Sequence, residues 1–165
     1  MRKVAFVNIS DSIQKLMIYD STEGVFLFGY DCLQDTSAIW DNWYTAVTDA
    51  EEYCSDTYQI DNDDWIVISD PFPDCQHDFI APTRIKGRDT NNPQWGQLQT
   101  FEKGEWVDTL KFEKQQSFDG LTGNERLYVS GLITEFDKAK KNDKGKAMKI
   151  LAALKFDKES ISKIV

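Results

Sequence analysis

Runs of apolar residues divide the first third of the chain into predicted strands. Residues 3–9 are apolar on both alternating faces, which predicts an inner strand. Residues 15–19 and 25–30 are two runs of branched and aromatic residues joined by a short turn that ends at Gly24. This pattern is typical of a β-hairpin. Residues 31–44 are polar and rich in Trp without a clear period, and we interpret them as a loop with one helical turn.

A helix is predicted after this loop. Thr48 and Glu51 match a capping box, in which each side chain accepts a hydrogen bond from an unpaired backbone N–H at a helix start. Helical spacing indicates one apolar face that ends near residue 58, made of Val47, Ala50, Cys54 and Tyr58. Residues 65–69 then predict a strand with both faces covered, because Trp65 is followed by three consecutive branched residues.

The connection over residues 70–93 is long and contains all four prolines. Loops of this length inside a compact domain are uncommon and usually functional. A short edge strand is predicted within residues 79–86, because Pro82 is tolerated only at a sheet edge. Residues 94–101 and 105–112 predict a second hairpin.

The apolar period changes from two to 3.6 near residue 118, which indicates helices. Thr122 and Glu125 form a second capping box, Asn142 and Asp143 break the helix, and Asp157 caps a last short one. Two apolar stripes are predicted, one of Tyr128, Leu132, Phe136 and Ala139 and the other of Ala147, Ile150, Leu151 and Leu154.

These elements predict an α+β fold: an antiparallel sheet of hairpins with one packed helix, followed by a C-terminal helical tail. The predicted body covers residues 1–112, a linker covers 113–119, and the helical tail or subdomain covers 120–165. A body that folds without the tail should keep its sheet when the chain ends after residue 112.

Charge is distributed very unevenly along this pattern. Residues 16–83 hold fifteen acidic residues and no Lys or Arg, whereas residues 84–165 hold sixteen Lys or Arg against twelve Asp or Glu. The whole chain carries a net charge of −9. Such a field favours cationic partners and disfavours nucleic acid.

Composition places the chain among folded proteins. Of its 165 residues, 41% are apolar and 13% aromatic, and disordered acidic chains lack such aromatics. Three widely spaced cysteines, Cys32, Cys54 and Cys75, indicate reduced thiols more than a disulfide framework. The apolar run at the N-terminus is too short for a signal peptide, and no window approaches the ~20 apolar residues of a membrane span. A soluble cytosolic protein is therefore expected.

Motifs that carry chemistry are weak in this sequence. Residues 74–78 place the single histidine, His77, near Cys75 and two carboxylates, which leaves open a nucleophile, a base or part of a metal site. A hydrogen-bonded loop is the favoured interpretation. Residues 61–64 resemble the start of a calcium loop but lack the glycine and the final glutamate that such loops require, so a helix-exit turn is predicted. We expect no cofactor and no metal.

Two groups of cations are predicted to have local roles. Arg84, Lys86 and Arg88 are suited to bind a phosphate or carboxylate, or to neutralise the acidic surface from within the protein, and the second role is favoured. The lysines of the tail are interpreted as a solvated face near helix ends, where cations are favourable: Lys138, Lys140, Lys141, Lys144, Lys146 and Lys149.

Aromatic residues lie among carboxylates near the middle of the acidic segment. Trp and Tyr dominate the energetics of protein interfaces, although core packing is the commoner role of any single Trp. The sequence predicts that a basic protein binds here, through Asp31, Asp35, Trp40, Asp41, Trp43, Tyr44, Glu52, Asp56, Asp61, Asp63 and Asp64.

The chain resembles small acidic bacterial immunity proteins of toxin–immunity systems. The resemblance lies in the acidic, Trp-rich α+β body and in the tail pattern Leu132-Ile133-Thr134-Glu135-Phe136-Asp137-Lys138-Ala139, followed by Ile150-Leu151 and by Phe156-Asp157-Lys158-Glu159-Ser160-Ile161. It covers about a third of the chain by pattern. The resemblance implies a binder that blocks a cationic toxin, often a nuclease, and that has no chemistry of its own.

Three classes of function remain open at this point. The first is a protein inhibitor of the immunity type, which needs aromatic anchors within the acidic surface. The second is an acidic DNA mimic that occupies a nucleic-acid-binding protein, which needs carboxylates spaced like phosphates. The third is an enzyme or small-ligand binder that uses residues 70–93, which needs a cleft that brings His77 next to another polar group.

Overall fold

Two antiparallel sheets and five helices form the part of the chain that the computed structural model describes, residues 1–9, 12–109 and 114–165. The class is α+β with a C-terminal helical tail, as predicted. In chain order the elements are β1 (Arg2–Phe6), β2 (Lys15–Ser21), β3 (Gly24–Tyr30), β4 (Trp40–Tyr44), α1 (Val47–Tyr58), β5 (Ile66–Ile68), β6 (Thr83–Ile85), β7 (Leu98–Glu102), β8 (Glu105–Asp108), α2 (Gly123–Val129), α3 (Ile133–Asn142), α4 (Lys144–Ala153) and α5 (Lys158–Ile164).

The larger sheet has the strand order β4-β3-β2-β1-β5. The predicted inner strand is confirmed, because β1 pairs with β2 on one side and β5 on the other. The predicted hairpin of β2 and β3 is also confirmed, and its pairing closes at Ser21 and Gly24. Gly24 has φ +128°, a conformation that side-chain-bearing residues rarely adopt, which is why this turn ends in glycine.

Two predictions for the edges of this sheet are wrong. Residues 40–44 form strand β4 rather than part of a loop, because they pair with β3 from Val25 to Gly29. Strand β5 is not covered on both faces, since Val67 is 52% exposed. Helix α1 packs over β2, β3 and β4 and leaves β5 at the uncovered edge.

Helix α1 covers one face of the larger sheet. Ala50 and Cys54 are buried there, with Val47 and Tyr58 packed beside them, so the predicted apolar face is confirmed. The predicted capping box is wrong: the helix begins at Val47, and its N-cap Ala46 has no side-chain hydrogen bond. The strand residues of this first core are Ala5, Leu16, Ile18, Val25 and Leu27.

The helical tail covers the opposite face of the same sheet. One continuous second core joins the strands to the helices, with Val4, Phe6, Met17, Tyr30, Ile66 and Ile68 from the sheet and Leu127, Leu132, Phe136, Ala139, Ala147, Ile150, Leu151 and Leu154 from the tail. Residues 114–119 also dock on the sheet side, because the N–H of Leu33 donates to the carbonyl of Gln115 and Phe118 is buried. The helical tail therefore supplies part of the core of the larger sheet.

Within the tail, the predicted caps are confirmed. Thr122 and Glu125 form the reciprocal capping box of α2, and the Asp157 carboxylate accepts the N–H of Ser160 at the start of α5. The predicted long first helix is instead two, α2 and α3, which are separated at Gly131. Gly131 has φ +75°, and a Cβ there would lie 2.5 Å from a carboxylate oxygen of Asp35.

The smaller sheet has the order β6-β7-β8. It confirms the predicted edge strand after Pro82 and the second hairpin as far as Asp108. Residues 110–112 of the predicted last strand and the first residue of the predicted linker lie outside the described residues. No helix within the described ranges is long and apolar enough to cross a membrane.

Glu135 connects the helical tail to the end of β5. Its carboxylate is buried and accepts hydrogen bonds from Ser69 Oγ at 2.5 Å and Lys146 Nζ at 2.8 Å. Burial opposes ionisation, but the hydrogen bonds from Lys146 and Ser69 and the charges of Lys146 and Lys138 outweigh it and lower the pKa of Glu135.

Replacing Glu135 by Gln should reduce stability at pH 7 by about 1–3 kcal/mol, the range for a charge-assisted buried hydrogen bond. Because the pKa of Glu135 is lower in the folded state, its stabilisation is present above the ordinary pKa of 4.5 and is lost as the pH falls through the folded-state value. Urea unfolding from pH 7 to pH 3 should therefore show the two proteins converging at low pH. Glu159→Gln, in an exposed pair with Lys163, should change nothing measurable. A difference independent of pH would contradict this account.

Candidate protein-binding surface

A row of aromatic side chains crosses the larger sheet on the face that carries the second core. Tyr19 lies opposite Phe26 in the strand register, and Phe26 lies opposite Trp43. The rings of Phe26 and Phe28 stack, with centroids 6.1 Å apart and planes 9° apart. All four residues keep accessible surface. We call Tyr19, Phe26, Phe28 and Trp43 the aromatic face.

Trp43 is the most exposed member of the aromatic face, at 56%. Its indole orientation is nevertheless fixed, because Nε1 donates to the carbonyl of Glu23 at 3.3 Å. The ring also lies over Gly24, where a Cβ would come within 2.3 Å of the indole nitrogen. An exposed aromatic side chain held in one orientation loses little entropy on binding, so Trp43 has the properties of a preorganised anchor.

The other predicted aromatic residues have a different placement. Trp40 and Tyr44 are half-buried and pack against the first core, on the α1 side of the sheet. The Trp40 ring fills the space beside Gly29, where a Cβ would clash at 2.1 Å. Tyr44 packs beside Tyr53 of α1 with ring centroids 6.2 Å apart. Among the three predicted aromatic anchors, only Trp43 is mostly exposed.

The predicted acidic residues do not form one continuous face. Asp41 is exposed and, two residues from Trp43 on the same strand, points to the same side of the sheet. The members on or after α1 are exposed beyond the other face: Glu52, Asp56, Asp61, Asp63 and Asp64. Asp31 is half-buried and pairs with Lys114 at 2.5 Å. The sheet therefore separates Asp41 and Trp43 from the acidic residues of the α1 side.

Asp35 is not a rim carboxylate, contrary to its predicted role. Its two oxygens accept the backbone N–H groups of Ile80 and Ala81, each at 2.7 Å. Burial raises the pKa of Asp35, and the charge of Lys15 and the two N–H groups partly offset that effect. Asp35 thus holds the 70–93 connection against the sheet, and both of its carboxylate oxygens are already engaged by that connection.

A buried polar cluster around Asp35 was not predicted. Arg2 is 2% exposed, and its guanidinium donates to the carbonyls of Ser69, His77, Phe79 and Ile80. Lys15 is fully buried, donates to the carbonyl of Gln34 at 2.5 Å and lies over the Tyr30 ring. Burial lowers the pKa of both cations. The sequence did carry one sign of this cluster: β1 and β2 are apolar strands, and each begins with a cation, Arg2 and Lys15.

The loop with the single histidine shows the hydrogen-bonded arrangement that was favoured for it. The Asp78 carboxylate accepts a hydrogen bond from the N–H of Ala38. The backbone carbonyl of Asp78 accepts one from the Tyr30 hydroxyl at 2.6 Å. His77 is exposed and packs edge-on against Tyr19, 5.1 Å between ring centroids. Burial raises the pKa of the Cys75 thiol, the opposite of what a nucleophilic cysteine needs.

The cations after this loop have partners within the protein, but none of the ion pairs found for them involves a carboxylate of the acidic segment, residues 16–83. Arg84 pairs with Asp89 at 3.0 Å and Lys86 pairs with Asp108 at 2.7 Å. Arg88 donates to the carbonyl of Asp74. Of the tail lysines, Lys138 and Lys146 pair with Glu135, Lys144 donates to the carbonyl of Val165 and Lys149 donates to that of Trp65.

Other features of the described residues do not converge on a reactive centre. The three cysteines are free and buried, and burial raises the pKa of Cys54 to about 12. Within residues 1–9, 12–109 and 114–165, no group of three His, Cys, Asp or Glu side chains is arranged to hold a metal. Two surface cavities, of about 650 Å³ between α4 and α5 and about 320 Å³ near the end of β1, are not lined by His77.

Comparison of the chain with protein-family models, with curated proteins and with solved structures gives no match. Function is therefore inferred from the surface and from the sequence.

Proposed function

We propose that this chain is a non-enzymatic acidic binding protein that engages a basic protein, and that it acts as an immunity protein neutralising a bacterial toxin. The observation that carries the proposal is the exposure of Trp43 within a segment of fifteen acidic residues and no cation. The three free cysteines suit a reducing compartment, and cytosolic action is part of the proposal.

Charge and aromatic anchoring have separate roles in this proposal. The acidic segment attracts a basic partner and raises its association rate at low salt. The fixed indole of Trp43 supplies apolar contact, which mainly sets how long the complex lasts. Asp41 and Glu23 are the exposed acidic residues nearest to Trp43 in the strand register and turn.

The other two classes of function have less support. A DNA mimic needs spaced carboxylates and little aromatic anchoring, whereas Trp43 is prominent beside Asp41. An enzyme using residues 70–93 needs a cleft that brings His77 next to another polar group, and neither of the two cavities described above is lined by His77.

The proposal is tested by recovering the partner from the source cell with the tagged protein, or by expressing the product of the adjacent gene. We expect a basic protein whose affinity falls as salt rises. An acidic partner, or an affinity that rises with salt, would refute the electrostatic part. If no protein is recovered and the purified chain turns over a small molecule in a reaction that His77→Ala abolishes, the enzyme class replaces the proposal.

Trp43→Ala should speed dissociation of that partner by roughly 30-fold, the equivalent of an anchor contributing about 2 kcal/mol, with little change in association. Trp95→Ala is the matched control, because Trp95 is 74% exposed in the loop before β7 and lies outside the aromatic face. Surface plasmon resonance on both variants separates the rates. A larger effect at Trp95 would place the binding surface elsewhere.

Reversing Glu23 and Asp41 to Lys should slow association and flatten its salt dependence, while dissociation changes less. Glu105→Lys, a single reversal at an exposed position of the smaller sheet, should have a smaller effect on the same rates than Asp41→Lys alone.

A further inference from the structure

Strand β4 has an open outer edge. It pairs with β3 on one side and ends the order of the larger sheet. Apart from that pairing, no backbone hydrogen bond within the described residues involves Asp41, Asn42, Trp43 or Tyr44. Asp41, Asn42 and Trp43 are all exposed. Within the described residues, the backbone donors and acceptors on the outer side of β4 therefore have no backbone partner.

The edge has few of the features that usually prevent strand pairing. Natural sheets protect edges with short strands, charged side chains (especially Lys), Pro or bulges, and β4 carries one charged residue, Asp41. The opposite edge β5 has three residues, and β6 has three residues and follows Pro82. Strand β4 has five residues, contains neither Pro nor Lys, and pairs with β3 in unbroken register.

We propose that the partner binds by adding a basic strand to the outer edge of β4. This inference rests on the proposed function and specifies how the basic protein engages the acidic surface. Main-chain hydrogen bonds would supply affinity, and alternate side chains would supply specificity, as in other complexes formed by strand addition.

The faces of β4 indicate the sequence of the added strand. On one face its side chains lie beside Asp41 and Trp43, which favours Lys or Arg through charge and through cation–π contact with the indole. On the other face they lie beside the half-buried Trp40 and Tyr44, with the exposed Asn42 between them, which favours apolar residues at the two outer positions. The matching segment therefore alternates basic and apolar residues. A second copy of this chain is a poor occupant, because it would bring together two acidic edges and two net charges of −9.

The test uses the intact protein and an eight-residue peptide of alternating Lys and Val with neutral ends. A second peptide carries N-methyl groups on two adjacent central residues, which removes a backbone donor from each peptide edge and leaves every side chain unchanged. A third peptide has Glu in place of Lys. Binding is measured by NMR titration, and amide hydrogen exchange of residues 39–44 locates it.

We expect the Lys–Val peptide to slow exchange of at least two amides of residues 39–44 by tenfold or more at saturation. N-methylation should weaken binding at least tenfold, and the Glu–Val peptide should not bind. Equal binding of the methylated peptide would overturn strand addition while leaving electrostatic engagement intact. Absence of binding by the Lys–Val peptide, or protection confined to other strands, would also overturn it. Failure of the proposed function itself would appear separately, as an acidic or salt-insensitive partner.

Discussion

Chains that end at residue 119 are expected to lose cooperative folding. The second core is continuous between the sheet and the helical tail, and Leu132, Ile150, Leu151 and Leu154 have no exposed surface. Burying each such side chain contributes about 1.5–3 kcal/mol, and whole domains are stable by only about 5–15 kcal/mol. Removing these four buried side chains therefore costs a free energy comparable with the entire stability of the domain. The uncovered face of β1 and β5 would also be apolar.

This expectation reverses the one drawn from sequence, which kept the sheet in a chain shortened after residue 112. Thermal unfolding, monitored by near-ultraviolet circular dichroism, measures the loss of fixed side-chain packing. Removing residues 157–165 is the graded control, because α5 contributes one buried residue, Ile161. The shorter deletion should lower the unfolding temperature and keep a cooperative transition. A cooperative transition in the chain of 119 residues would show that the sheet folds alone.

Arg2→Met is expected to destabilise the protein by about 3 kcal/mol or more. The substitution removes the donors for the carbonyls of Ser69, Phe79 and two further residues of the 70–93 connection, at distances of 2.5–3.4 Å. Each buried acceptor left unpaired costs about 1–3 kcal/mol. The methionine fills similar space without a donor, so the loss reports hydrogen bonding more than volume.

Arg88→Met is the matched control, because Arg88 is exposed and donates to the carbonyl of Asp74 in the same connection. Its effect should stay below about 1 kcal/mol. The loss of stability for Arg2→Lys should lie between those of the other two variants. An ammonium group cannot reach all of the carbonyls that the wider guanidinium contacts. Chemical unfolding gives the three values, and a loss below 1 kcal/mol for Arg2→Met would show that water replaces the guanidinium.

Local sequence pattern was sufficient for much of the fold. The inner strand, both hairpins, the buried face of α1 and the caps at Thr122 and Asp157 depend on residues near one another in the chain, where periodicity and capping chemistry apply. Strand β4 was missed because its exposed Asp41, Asn42 and Trp43 interrupt the alternation that identifies a strand.

Non-local contacts limited the rest. The carbonyls that accept from Arg2 lie 67–78 residues away, and no spacing rule indicates them. Among the predicted site residues, the sequence could not separate Asp41 from Asp35. The carboxylate of Asp35 meets the N–H groups of Ile80 and Ala81, which only the folded chain brings to it.

The position of β1 as an inner strand of the larger sheet has a consequence for synthesis on the ribosome. The helices that cover Val4 and Phe6 are more than a hundred residues downstream, so at about 5–20 residues per second the apolar face of the emerging sheet stays uncovered for on the order of ten seconds. Residues 16–83, with their fifteen carboxylates and no cation, are translated within that interval, so neighbouring nascent chains carry like charge. The charge that would steer a partner to the finished protein would thus also oppose association of unfinished chains.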